Sequence, residues 1–376
     1  MFAQVTVEGS ANTFGDAQLS VDVIADEIMW EVAKGSEVVA YGASEEEPEI
    51  VKCNPKGEYT ICWDPLDGSS IVDNNWAVGT IIGVFVRGVL LSCGAGVWRL
   101  ASGRVATPFR RLTPLRHRRE AGHDVAPASG RRRRGTPETP PPTRESHIER
   151  REHETNRDRN KKHARRWGSK SGKGDDGLLG ATGRDQVTSL VALYGPRTTV
   201  AVALDDGVYE FSYGCTPEGC MLEDGTYEPW ICSRAKIEVA KDCRIFSPAN
   251  LRAAKEVAGY KRLVEHYMDD KYTLRYSGGL VPDIYQQFTK NQGVFANPTS
   301  DSSPAKLRLA FEAAPFGLLV EKAGGKTSDG VTGGSILDVE ITAVDQRTAL
   351  CIGSANEVDR FNEYLECDDD GCNTSK

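Results

Sequence analysis

Between Ser20 and Lys34, apolar residues return at Val21, Ile24, Ile28 and Val32, the spacing of one helix face, and Gly35 follows as a stop signal. The pattern predicts an amphipathic helix with this stripe as its apolar face. Tyr59 to Trp63 (YTICW) runs into Asp64-Pro65 and predicts a buried strand, as does GTIIGVFV from Gly79 to Val86. TTVAVAL (198–204) and VYEFSY (208–213) flank Asp205-Asp206-Gly207, a strong hairpin signal. Further on, Asn250 to Tyr267 predicts a helix, and Pro282 opens another from its first turn. Lys306-Leu307-Arg308-Leu309 alternates as a strand does. After a break near Pro315 the chain turns helical through Lys322 and stops at Gly324-Gly325. Strands and helices mixed in this way, with hairpins and no internal repeat, fit a layered α/β or α+β architecture better than a barrel.

At 376 residues, 39% of them hydrophobic, the chain can bury a full core and is expected to hold two structural units. No apolar run approaches the roughly 18–20 residues that span a bilayer. The start MFAQVTVEGS lacks a basic region ahead of an apolar one, so neither a membrane nor a secretory route is expected. The net charge of −8 hides a division: residues 99–176 carry 22 Lys and Arg against 10 Asp and Glu, a surplus of 12 that leaves −20 on the rest. With RRRR at 131–134, PPP at 140–142 and few large apolar residues, this segment cannot offset the entropy of ordering and is expected to be a disordered insert. An acidic body repels nucleic acid, although the basic insert leaves RNA or partner binding open as a non-enzymatic alternative. His117, His123, His147, His153 and His163 all lie in the insert, which leaves His266 alone in the globular part and histidine-based catalysis unexpected. Two cysteine pairs with a four-residue gap, Cys215/Cys220 and Cys367/Cys372, read either as redox dithiols or as chance in loops, and zinc is not supported.

The sharpest chemical signal is DPLDGSS, Asp64 to Ser70, directly after a predicted strand. Two carboxylates three residues apart, with Pro65 fixing the turn, can converge on a cation while the Leu66 carbonyl points to the same place. Gly68, Ser69 and Ser70 then offer backbone N–H groups to phosphate oxygens. Asp-Pro and Asp-Gly are also ordinary turn sequences. Glu45 and Glu46 are adjacent on a loop after a strand-like stretch, which alone is a common solvated turn. Glu312 lies near a helix start, where an acid is favoured with or without metal. Asp16 and Asp22 flank the first helix start and could serve as caps. The alternation of Lys306 and Arg308 commonly marks a solvated face, whereas Arg275-Tyr276 before Ser277-Gly278-Gly279 points to a close ligand approach.

Taken in order, GDAQLSVD (15–22), SEE (44–46), DPLDGSS (64–70), RYSGGLVPD (275–283), KLRL (306–309), FEAAP (311–315) and EKAGG (321–325) resemble the fructose-1,6-bisphosphatase class. SIVDNNWAVGTIIGVF, TGRDQV, YGPRTT and FSPANLR resemble its sedoheptulose-1,7-bisphosphatase branch more closely. The resemblance covers 12–98 and 178–365. It implies a layered α-β-α-β-α sandwich whose metal-binding half (1–98, completed by 177–200) precedes a sugar-binding half (201–366) and a tail (367–376). It also implies two or three Mg²⁺ ions held by Glu45, Asp64, the Leu66 carbonyl, Asp67 and Glu312. Asp16 and Glu46 would serve remaining metal positions or the attacking water, and Asp22 would help activate that water. Asp67, Gly68, Ser69 and Ser70 would hold the reacting phosphate, while Asn250, Arg275, Tyr276, Lys306 and Arg308 would hold the sugar and the far phosphate.

The activity so implied is hydrolysis of the 1-phosphate of sedoheptulose 1,7-bisphosphate, with fructose 1,6-bisphosphate the second substrate, in a homodimer or homotetramer. By the same resemblance the compartment is the chloroplast stroma; the cytoplasm is the alternative, since no transit peptide is visible in the chain. Asn297 and Asp301 replace the aromatic and basic residues of the fructose-specific branch. An inositol monophosphatase-like enzyme shares the Asp-Pro-φ-Asp-Gly loop but typically carries Trp-Asp where Phe311-Glu312 stands. From its composition the insert is expected to be dispensable for the chemistry. Exchange of 100–176 for a short Gly/Ser linker is expected to leave phosphate release and cooperative unfolding unchanged, and loss of soluble protein would show that the segment packs.

Overall fold

The structure, a computed structural model, describes residues 7–11, 17–47, 49–87, 90–93, 97–100, 105–106, 175–214 and 229–366. Asp16, the two close cysteine pairs and the histidines of the basic segment lie outside these residues. The chain forms two compact units, Met1–Gly88 with Gly172–Lys376, and Val89–Ser171.

In the first unit, β1 (Val7–Ala11) pairs with β2 (Ala17–Leu19) and leads into helix α1 (Ser20–Gly35). Then come β3 (Val39–Ser44), β4 (Val51–Lys52), β5 (Tyr59–Asp67), the short helix α2 (Ser69–Val72) and β6 (Val78–Val86). The second unit contains β7 (Leu90–Cys93), β8 (Val97–Leu100) and β9 (Val105–Ala106), an antiparallel sheet in that order. Back in the first unit, β10 (Gln186–Tyr194), β11 (Thr198–Leu204), β12 (Gly207–Tyr213) and β13 (Trp230–Ile237) complete an eight-stranded sheet of order β13-β12-β11-β10-β6-β5-β3-β4. The division placed at residue 200 falls inside β11 of this sheet. A five-stranded sheet of order β15-β14-β16-β18-β17 follows, from β14 (Ile245–Pro248), β15 (Thr273–Leu274), β16 (Val294–Asn297), β17 (Lys326–Ser328) and β18 (Leu350–Gly353). Its helices are α3 (Ala258–Asp269), α4 (Leu280–Lys290), α5 (Ala314–Lys322) and α6 (Ala355–Glu366).

The layers follow from which faces are apolar. Residues 314–320 of α5 are buried all round, as expected of a helix enclosed on every side, and α5 packs with α4 between the two sheets. Helices α3 and α6 cover the far face of the smaller sheet around Tyr260, Leu263, Tyr267, Val358 and Phe361. Helix α1 covers the outer face of the larger sheet through Trp30 and Ala33 against Val39 and Trp63. The result is the α-β-α-β-α sandwich that the resemblance implied. The hairpin at Asp205-Asp206 forms with Leu204 opposite Gly207.

Four local expectations are corrected. Ile24, Ile28 and Val32 are 56%, 55% and 63% exposed, and the opposite face of α1, with Asp22, Asp26, Trp30 and Ala33, is the buried one. Trp30 stacks edge-on against Trp63 at 4.6 Å, and that large contact, together with hydrogen-bonded acids, outweighs the smaller isoleucines. The helix expected over 250–267 is split into a 3₁₀ turn (Leu251–Lys255) and α3, because Val257 adopts φ −94°, ψ 89° between them. Residues 306–309 form no ladder, only an isolated bridge from Arg308 to Arg347. Finally, a π-helical turn (Leu309–Ala313) runs unbroken into α5, with Pro315 in its first turn, where a missing N–H is tolerated.

The body resumes before 177. Asp175 is held by Arg87 (3.0 Å) and by the Tyr41 hydroxyl (2.8 Å), and Asp176 accepts from the Leu178 and Leu179 amides at 2.7 and 2.9 Å. A linker exchange should therefore stop at residue 174. The burial pattern gives a second test: Phe316→Ala should cost about 3–5 kcal/mol by urea unfolding, whereas Ile28→Ser should change stability by less than about 0.5 kcal/mol.

Candidate active site

Strand β5 delivers its acids to the interior. It lies parallel to β3, with Ser44 beside Trp63, so both strands end on the same side and Glu45-Glu46 follow β3 beside Asp64. The Glu45 amide donates to the Trp63 carbonyl at 3.0 Å. Against β6 the pairing of β5 slips between Asp64 and Asp67. In that slip the Leu66 amide donates to Asp64 (3.0 Å) and the Thr80 hydroxyl to the Pro65 carbonyl (2.8 Å), fixing the turn. Gly68 then takes φ +93°, a left-handed conformation that favours glycine, and α2 begins. The π-helical turn before α5 brings Glu312 to the same place. Carboxylate oxygens of Asp64, Asp67 and Glu312, all buried, lie within 4.8 Å of one another.

This crowding shapes the electrostatics. Burial raises the Asp64 pKa well above the carboxylate range, and Glu45, Asp67 and Glu312 raise it further. Burial also raises Asp67, to about 7; the amides of Val281 (2.6 Å) and Leu280 (3.2 Å) at the start of α4 oppose the shift, while Glu45 and Asp283 add to it. Glu312 is raised mainly by burial and by Glu45, against the pull of Arg308. The Arg308 guanidinium forms an ion pair with Glu45, and its amide donates to Glu312. One guanidinium thus pairs with Glu45 and pulls on Glu312, while the oxygens of Asp64, Asp67 and Glu312 form a set of hard donors that fits divalent cations such as Mg²⁺.

The acids close one end of a cavity of about 400 Å³. Gly68, Ser69 and Ser70 line it beside them; Asn250, Arg252, Tyr276, Asn297 and Lys306 line the rest. Of the residues expected here, Glu45, Glu46, Asp64, Leu66, Asp67, Glu312, Tyr276 and Lys306 do line it. Asp22 is buried on α1 and is not among the lining residues. Asn250 does line the cavity, but its amide is engaged with the Pro298 and Ser303 carbonyls (2.8 Å each) and accepts from the Ser303 hydroxyl (2.7 Å), so it frames the 298–303 loop. Arg308 also lines the cavity, with its guanidinium paired to Glu45. Arg275 lines a neighbouring hollow with Trp76, Pro282 and Gln286, and Tyr276 borders both spaces. The turn between them is shaped by Gly278 at φ +98° and by Asp283, which accepts from the amides of Ser277 (2.7 Å) and Gly278 (3.0 Å). His266 sits among Tyr267, Tyr272 and Tyr364 and does not line the cavity.

Sequence reasoning missed Arg252. Its exposed side chain reaches the cavity rim from the 3₁₀ turn after Asn250, and its charge is felt at the Tyr276 hydroxyl. Its only signal was a basic residue two positions after the asparagine already singled out.

Comparison with known proteins gives two domain matches, "Fructose-1-6-bisphosphatase, N-terminal domain" over residues 3–99 and "Fructose-1-6-bisphosphatase, C-terminal domain" over 239–366. A chloroplastic sedoheptulose-1,7-bisphosphatase of Spinacia oleracea is 34% identical over 356 residues, covering 94% of this chain and 66% of that protein, just under two thirds of its length. The fructose-1,6-bisphosphatase class 1 of Trichlorobacter lovleyi is 30% identical over 363 residues, 96% of this chain and 82% of the relative. Among solved structures, a Toxoplasma gondii protein provisionally described as a sedoheptulose-1,7 bisphosphatase superposes with a TM-score of 0.66 at 36% identity, over 96% of this chain and 87% of the other. Leishmania major fructose-1,6-bisphosphatase in holo form, at 24% identity, a TM-score of 0.65 and coverage of 96% and 86%, supports the fold alone. Among the described residues no helix is long and apolar enough to cross a membrane.

The raised acids predict a pH signature. With folded-state pKa values above the unfolded ones, the metal-free protein binds more protons folded than unfolded, between about pH 4 and about 7 for Asp67. The contribution of these groups to stability is full below that window and is lost as pH rises through it. In chelator their share of the melting temperature should fall over this range, and the increment given by Mg²⁺ should grow over the same range, since the cation takes the place of the protons. Asp64→Asn should flatten both trends in a thermal-shift titration, and an Mg²⁺ increment independent of pH would count against the cluster.

Proposed function

As the chain belongs to the fructose-1,6-bisphosphatase family, we propose that it is a phosphoric monoester hydrolase acting on a sugar bisphosphate, with the 1-phosphate of sedoheptulose 1,7-bisphosphate as the preferred target. The observation that carries this reading is a cavity lined at once by the buried Asp64, Asp67 and Glu312, by Glu45 and Glu46, and by the basic Arg252 and Lys306. A substrate with two anionic groups can use both kinds of lining.

Glu45, Asp64, the Leu66 carbonyl, Asp67 and Glu312 would hold two or three Mg²⁺ ions, with Asp16 and Glu46 completing the set. When bound, Mg²⁺ supplies polarisation of the phosphoryl oxygens and a more acidic water. Glu46, which lines the cavity, would orient and deprotonate that water. The Gly68 to Ser70 backbone would take the oxygens of the reacting phosphate, and the α4 amides on Asp67 keep its carboxylate aimed. Lys306 and Arg252, assisted by Tyr276, would neutralise the second phosphate, which positions the first for in-line attack. The seven-carbon preference is supported by the higher identity to the sedoheptulose-1,7-bisphosphatase of Spinacia oleracea than to the Trichlorobacter lovleyi fructose enzyme. Fructose 1,6-bisphosphate is the second substrate, a homodimer or homotetramer the expected assembly, and the plastid stroma the expected compartment, with the cytoplasm as the alternative.

The test is Mg²⁺-dependent phosphate release from the two bisphosphates and from a simple sugar monophosphate. Lys306→Ala and Arg252→Ala should each raise KM for the bisphosphates about tenfold or more, the range for a charge-assisted contact, and change monophosphate turnover far less. Equal losses on both substrate types would remove the anchoring role and favour a monophosphatase.

A further inference from the structure

Asp26 has no part in the chemistry above, yet it is 9% exposed and sits one helical turn beyond Asp22 on the inward face of α1. Its Oδ1 accepts from the Trp63 indole N–H at 2.8 Å and from the Ser44 hydroxyl, and its Oδ2 accepts from the Trp30 indole N–H at 3.0 Å. All three donors are neutral. A buried carboxylate satisfied only by neutral dipoles is costly compared with an amide or an apolar side chain of similar size, so its presence calls for a role beyond packing.

The identity of the donors supplies that role. Trp63 is the residue before Asp64, and its carbonyl receives the Glu45 amide. Ser44 is the residue before Glu45, and its hydroxyl oxygen receives the Glu46 amide at 3.2 Å. One carboxylate on α1 is therefore bonded to the residues that immediately precede both acid-bearing segments, while the helix carrying it also carries Asp22. Building on the metal-dependent reading of the site, we propose that Asp26 is a positioning residue that sets the spacing of Glu45-Glu46 against Asp64 and so tunes divalent-cation affinity. Asn at this position would offer one acceptor oxygen and would turn an N–H₂ toward donors, breaking at least one of the three bonds.

The experiment is Mg²⁺ and Mn²⁺ binding to the chelator-treated full-length protein by isothermal titration calorimetry, for the unaltered chain, Asp26→Asn, Ser44→Ala and Trp63→Phe. Outer partners of metal ligands typically carry about 10- to 100-fold in affinity. Asp26→Asn is expected to weaken binding within that range, and Ser44→Ala and Trp63→Phe several-fold each, with KM for the bisphosphate at saturating Mg²⁺ little changed. Because two of the donors are indoles, tryptophan emission should shift on Mg²⁺ addition in the unaltered protein and shift less in Asp26→Asn. Unchanged metal affinity in Asp26→Asn, even with a lowered melting temperature, overturns the proposal by reducing Asp26 to a packing role. Should Asp26→Asn not fold, wild-type affinity in both Ser44→Ala and Trp63→Phe overturns it equally. Failure of the unaltered protein to bind either cation overturns the metal reading of the site itself, an outcome distinct from these.

Discussion

Like charges buried together repel, and in this molecule nearly everything around the cavity answers that repulsion. Asp64, Asp67 and Glu312 meet, buried, with carboxylate oxygens within 4.8 Å of one another and Glu45 beside them. The sandwich supplies three separate remedies. Backbone amides at the start of α4 face Asp67, a guanidinium pairs with Glu45 and pulls on Glu312, and burial with the neighbouring acids raises the proton affinity of Asp64. A divalent cation can replace that proton and outcompete the guanidinium. The geometry that makes the cluster unfavourable in isolation is thus what gives it affinity.

The topology explains how acids so distant in sequence come together. Parallel pairing of β3 and β5 puts two strand ends side by side, and β5 carries the slip against antiparallel β6, with one extra residue between Asp64 and Asp67. The third contribution arrives from the opposite layer, where the widened helical turn at 309–313 precedes a helix with no polar face. Because α5 packs against both sheets, the turn that carries Glu312 is anchored in the core between them.

Much of this was legible in the sequence, for identifiable reasons. The DPLD loop announces itself because a buried strand running into Asp-Pro is an unusual place for two acids. The hairpin at Asp205-Asp206 and the strands at 59–63 and 79–86 are local patterns, and local patterns survive folding. The errors share a different cause. On α1 the hydrophobic period scores isoleucine above aspartate, so it cannot anticipate a face buried through Trp30 and hydrogen-bonded acids. At Lys306 and Arg308 the alternation predicted a strand, but the segment has no ladder partner beyond one bridge, and both residues line the cavity. Asn250 and Arg252 exchanged importance because the left-handed backbone at Asn250 (φ 46°) commits its amide to the neighbouring loop and leaves the arginine at the rim.

The contact between Arg87 and Asp175 bears on the chain that runs between them. The two residues lie on either flank of the basic segment, and Tyr41 and the Pro55 carbonyl hold the pair to the acidic body. The entropy of closing a flexible loop grows only with the logarithm of its length, by roughly 0.6 kcal/mol per doubling. Once two chain ends are fastened together, the number of residues between them is almost invisible to the stability of the body. Arg87 and Asp175 therefore set the distance that any connection between them must span, whatever its length.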